Sequence, residues 1–149
     1  MEFKLALDMQ ERKVTDMLIG KNASESRKLE YLIDDDFDKA LLVANEQAQA
    51  FDKVIDTVKG LSTDGLEKGL ELKQSKLAYY KSLKDLHGYA KKEIMQQKLI
   101  QETEGKERSK AQNELINMAK AKQTLYDKVY KAEEELDQTS VDFDKANGL

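Results

Sequence analysis

The sequence contains no cysteine, no proline and no tryptophan. Without cysteine there are no disulfides, no thiolate metal sites and no cysteine nucleophile. Without proline, nothing in 149 residues forces a helix to stop by losing an N–H or by clashing with the preceding turn. Histidine occurs once, at His87. That excludes the paired Glu-x-x-His motifs of bundle di-metal centres and any zinc site of three or four His and Cys ligands. No apolar run approaches the roughly 18 residues of a membrane span. The opening "MEFKLALDMQERK" places Glu2 and Asp8 where a signal peptide has a basic and then an apolar stretch.

What remains is charged and helix-forming. Asp, Glu, Lys and Arg make up 36% of the chain, and Ala, Leu, Lys, Glu and Gln are all good helix formers. This composition predicts long helices with repeat-patterned packing, in one domain over residues 1–149. The net charge is −4 and unevenly spread. Residues 1–65 carry 14 acids and 9 bases, residues 66–105 carry 6 and 8, and residues 106–149 carry 9 and 8. No block has the basic excess of a nucleic-acid footprint, so no nucleic-acid partner is expected.

The strongest pattern lies near the C-terminus. Ala111, Leu115, Met118, Lys122, Leu125, Val129, Ala132, Leu136, Thr139, Phe143 and Ala146 succeed one another at spacings of 4 and 3. Only Lys122 and Thr139 are polar. The pattern predicts a helix over about 106–146, roughly 60 Å long at 1.5 Å per residue. Ala121 is expected to fill the seam where Lys122 turns out to water. A second seam, Phe37, Leu41, Ala44, Ala48, Phe51, Ile55 and Val58, is apolar throughout. With Leu29 and Ile33 as its upstream extension and Asn22–Glu25 as a capping pair, it predicts one helix over about 23–59.

"VKGLSTDGLEKGL" reads as a reversal, with Gly60 in a left-handed C-cap, Ser62 capping the next helix, and Leu61 and Leu66 as a hydrophobic staple. That helix is expected over about 63–103. Its wide apolar face, including Leu66, Leu70, Leu72, Tyr79, Tyr80, Leu83 and Leu86, suits two neighbours. Gly88 inside it marks a kink or a close backbone approach. The polar stretch "QETEGKERSK" is the second reversal; its rival is a single helix from 63 to 146. Phe3, Leu7, Val14, Met17 and Leu18 predict a short helix over about 2–19, loosely attached. The expected architecture is all-α: an elongated antiparallel bundle of three long coiled-coil-like helices with a short N-terminal helix.

Candidate chemistry is sparse. In "IDDDFDKA", Asp34, Asp36 and Asp38 match the first, third and fifth positions of a calcium loop. Lys39 stands where the turn glycine belongs, and Asn45 where a bidentate glutamate belongs. The stretch therefore reads as the acidic shoulder of a helix whose seam opens at Phe37. His87 has no nucleophile or oxyanion motif near it in sequence. "GLSTDG" lacks the Gly-Lys-Ser/Thr ending of a phosphate loop. The glutamates of "KAEEELDQ" read as a solvated face. No enzyme and no cofactor is expected.

The tyrosines point elsewhere. Tyr126 and Tyr130 sit one turn apart beside the main seam, Ile116 shares their flank, and Tyr79 crowds the middle helix. They are the candidate partner-binding residues, because tyrosine favours half-wet interfaces. The competing reading, which the need for a third helix favours, is a second core flank. The functional expectation is a helical interaction or structural module, with a protein partner or self-association. The alternative is a bundle that holds an apolar ligand or lies on a membrane through residues 1–19, whose balanced charge weakens attraction to anionic lipid.

Overall fold

The computed structural model describes all 149 residues and contains helices only. These are α1 (Glu2–Leu18), α2 (Ser24–Ile33), α3 (Phe37–Lys59), α4 (Gly69–Glu102) and α5 (Gly105–Ala146). Cross-helix contacts fix their directions. Asp52 meets Lys84 and Asp38 meets Lys98, so α3 and α4 are antiparallel. Gln96 meets Ala111 and Glu93 meets Lys122, so α5 runs back along α4. Glu11 on α1 meets Lys76, and Glu25 on α2 meets His87. Residue numbers rise together in both contacts, so α1 and α2 follow each other along the bundle, parallel to α4. The fold is an elongated up-down-up-down bundle whose first leg is broken into two helices.

The expected helix over 23–59 is interrupted. Asp34, Asp35 and Asp36 reverse the chain instead of continuing it, with Asp35 at φ 57° and the Asp36 carboxylate accepting from the Lys39 N–H as the N-cap of α3. Aspartate helps its own backbone into such turns and tolerates the left-handed region. The apolar spacing ran unbroken from Ile33 to Phe37, but Ile33 is 80% exposed and Leu29 is exposed as well. The upstream extension of the seam therefore fails. Asn22–Glu25 is not a capping pair either: Ala23 is the N-cap, without a side-chain bond.

Gly60 is right-handed at φ −78° rather than a left-handed cap. Ser62 Oγ accepts from the Asp64 N–H, yet this makes a turn, and α4 begins six residues later than expected, at Gly69. Lys73 Nζ donates to the Lys59 and Leu61 carbonyls, closing the end of α3. Thr103 and Glu104 alone join α4 to α5. Gly105 is left-handed at φ +60°, and Arg108 Nε donates to the Ile100 and Thr103 carbonyls. This reversal excludes one helix from 63 to 146. The helix α4 runs unbroken through Gly88, and a Cβ there would meet nothing within 4 Å. Gly88 marks neither a helix break nor a close approach.

The eleven seam residues of α5 all face inward, buried or half-buried, while Ala121 is exposed. Lys122 stays in the seam, its Nζ 2.8 Å from Glu93. Neutralised in this way, a lysine lays its aliphatic stem along the apolar groove. α1 is not loosely attached. Phe3, Leu7, Gln10 and Val14 are buried at spacings of 4, 3 and 4, Phe3 packs on Phe143 at 5.7 Å between ring centroids, and Lys4 pairs with Asp144. The main core joins α1, α3, α4 and α5 around Phe51, Tyr80, Leu83, Leu136 and Phe143. A smaller cluster of Phe37, Ala40 and Ile94 lies toward the 34–36 turn.

Candidate interaction surface

The four partner-binding candidates separate into two environments. Tyr79 is half-buried, packs against the core and lies beside Tyr80 at 5.8 Å. Burial raises its phenol pKa, and the charges of Glu11, Glu133 and Asp137 raise it further. Tyr79 is therefore a core-edge residue at the α1–α4–α5 junction. Ile116, Tyr126 and Tyr130 lie on the outside of α5, 54%, 39% and 59% exposed. No third helix covers them. The second-flank reading required one, but the main backbone neighbour of α5 is α4.

Ile116, Ala119, Gln123, Tyr126 and Tyr130 are spaced 3, 4, 3 and 4 apart and form one stripe beside the buried seam. The stripe is held in place from beneath. Lys122 Nζ sits 5.9 Å from the centre of the Tyr126 ring while it binds Glu93, so one cation ties the ring to α4. Gln123 Nε2 donates to Asp127 Oδ1 at 3.0 Å. Ile116 and the two rings add apolar area in a line, a longer run than the exposed i,i+4 pairs Leu29–Ile33 and Met95–Leu99 on other helices.

Sequence reasoning missed a buried polar node where α1 gives way to α2. Lys28 and Gln47 are 3% and 1% exposed. Lys28 Nζ lies 2.9 Å from Glu25 and 3.3 Å from Gln47 Oε1. Gln47 Nε2 donates to Glu25 at 2.8 Å and to Ser24 Oγ at 3.2 Å. His87 Nδ1 stands 3.5 Å from the same Glu25 oxygen, with its ring stacked on Phe51. Burial alone would raise the Glu25 pKa. The neighbouring His87, Lys28 and Gln47 outweigh burial and lower it to about 2. Every buried polar side-chain atom has a partner, which leaves this node closed to an outside ligand. Glutamine at a position between Ala44 and Phe51 was the available signal, since a polar residue there needs a buried partner.

A second polar contact fastens α1. Glu11 accepts from Lys76 Nζ at 2.7 Å and from Tyr80 O–H at 2.8 Å. Burial pulls the Glu11 pKa upward, but these two donors and the Lys76 charge hold it below its ordinary value. Burial, with the Glu11 carboxylate, drives the Tyr80 pKa up.

The acidic turn opens on a depression of about 400 Å³ shared with Lys98, Gln101 and Glu102. Lys98 Nζ binds Asp38 at 3.0 Å, and that pairing holds the lysine pKa above its ordinary value. No three His, Asp or Glu side chains converge there, or elsewhere in the chain, as a metal-binding group. The depression of about 750 Å³ along Gly105, Ser109, Asn113 and Asn117 has no hydrophobic residue in its lining, unlike ordinary small-molecule pockets. No helix is long and apolar enough to cross a membrane. Set against family models, curated proteins and solved structures, the chain matches none of them.

Proposed function

We propose that this chain is a non-enzymatic helical interaction module that presents the outer flank of α5 to another protein helix. The supporting observation is the stripe of Ile116, Ala119, Tyr126 and Tyr130, exposed at helical spacing with no helix of its own chain over it. A water-facing helix side carries polar residues at such positions. An exposed apolar line at helical spacing, crossed here only by Gln123, suits a helix-in-groove or helix-on-helix contact. Paired tyrosines suit the role, since each offers a large rigid face at low entropic cost and keeps its hydroxyl wet.

The membrane reading rests on residues 1–19. In this bundle Phe3, Leu7 and Val14 are used internally, which leaves Met1, Leu5, Met9 and Ile19 as the large apolar residues that stay outward there. Four such side chains with no basic excess beside them give little insertion.

A photo-crosslinking residue at position 126 or 130 tests the proposal. Expected is a protein adduct in the native source from these positions, absent from position 121 on the opposite flank and lost in the Tyr126→Ser/Tyr130→Ser background when the probe is moved to 119. Adducts confined within a single copy of the chain would overturn it.

A further inference from the structure

Residues 116, 123, 130, 137 and 144 occupy the same position in successive seven-residue repeats of α5, so they form one column on one side of the helix. α1 reaches the far end of this column, where Lys4 pairs with Asp144 beside the Phe3–Phe143 contact. There the column carries Asp144, while Asp137 one repeat before it is exposed. Over its other half, where no helix of the chain lies, it carries Ile116, Gln123 and Tyr130. The side is thus more apolar where it is bare than where it is covered. A side meant for water would show the reverse.

We infer, resting on the interaction reading above, that the bare half is covered by a second copy of the same helix, lying antiparallel across a twofold axis between residues 123 and 126. In this alignment Ala119 faces Tyr130 of the other copy and Gln123 faces its Tyr126, so the smaller side chains receive the rings. Charges flanking the stripe select the register. Lys120 and Asp127 stand on its outer edge, each one residue past a stripe position. With the axis between 123 and 126, Lys120 of each copy lies beside Asp127 of the other, twice over by symmetry. Sliding one heptad step one way sets Lys120 against Lys120, and the other way sets Asp127 against Asp127. Both alternatives are repelled, which is how flanking charges specify a single pairing.

The full chain tests this directly. Sedimentation equilibrium is expected to show reversible doubling of mass with concentration. Lys120→Glu and Asp127→Lys are each expected to weaken association about tenfold, and the double exchange to restore it. Because the chain has no cysteine, a single one introduced as Gln123→Cys is expected to join two copies through a short bismaleimide. Lys110→Cys, whose twin lies roughly 40 Å away along the helices, is expected to fail. A mass that stays monomeric at every concentration overturns self-pairing while leaving a different protein helix as the occupant, which the crosslinks at 126 and 130 detect independently. Joining of copies through both cysteines, or no rescue by the double exchange, overturns the antiparallel register.

Discussion

The two ends of the bundle are stabilised differently. At the end holding both chain termini, α1, α3, α4 and α5 close around large buried side chains, with Phe51, Tyr80 and Phe143 all fully buried. Toward the 34–36 and 103–104 turns, the compact core shrinks to Phe37, Ala40 and Ile94, and α5 contributes only Ala111 as a fully buried residue between 105 and 128. Similar helices thus meet in one case as a closed four-legged core and in the other as a looser stack with a bare flank. The difference lies in leg one. α1 reaches across to α5, whereas α2 is tied to α3 and α4 by the polar node.

The sharpest test of this contrast is a matched pair of truncations. Phe143→Ala is expected to cost about 3–5 kcal/mol, read as a fall in the denaturant midpoint. Phe37→Ala should cost clearly less, because its cluster holds three buried residues against 14 in the main core. Equal losses would break the distinction between the ends.

Next in size is the node between them. Glu25→Gln leaves Lys28 buried without its anion, at a cost of about 3–5 kcal/mol. The node also has a pH signature. The folded-state pKa of Glu25, about 2, lies below its ordinary value of 4.5. Its stabilisation, on the order of 3 kcal/mol, is fully present above pH 4.5 and disappears as pH falls through about 2. Stability measured across that window should fall more steeply in the wild type than in Glu25→Gln. Parallel curves would show that the carboxylate is not the source.

Two smaller effects complete the comparison. Gly88→Ala is expected to raise stability by up to about 1 kcal/mol, since the site is helical and open. Tyr126→Ser with Tyr130→Ser is expected to move the monomer's stability by less than about 0.5 kcal/mol per site. A larger loss from the tyrosine pair would mean that the flank belongs to the chain's own core.

The seam of α5 was legible in the sequence because eleven residues repeat one spacing and the structure turns every one of them inward. Lys122 shows the limit of that reading. Its charge suggested water, and only the position of Glu93 on another helix explains why it stays in the seam. The break at 34–36 was hidden for a related reason. Ile33 and Phe37 keep the helical spacing, so periodicity passes through a turn that three adjacent aspartates make locally favourable. The tyrosine flank was visible as a flank, but whether a helix covered it depended on the path of α1 and α2. The node was invisible as a unit because Glu25, Gln47 and His87 come from three different helices.

The contact between Lys4 and Asp144 spans 140 residues, while the two-residue link at 103–104 lets α4 and α5 pair with almost no loop to close. Pairing of near neighbours is fast, and distant pairing waits on chain entropy. Pulse-labelled amides are therefore expected to become protected in α4 and α5 before α1. During synthesis α1 leaves the ribosome well before α5, which holds the partners of Phe3 and Lys4. Until α5 follows, Phe3 waits for the Phe143 ring, while the rest of α1 already has α3 and α4 to pack against.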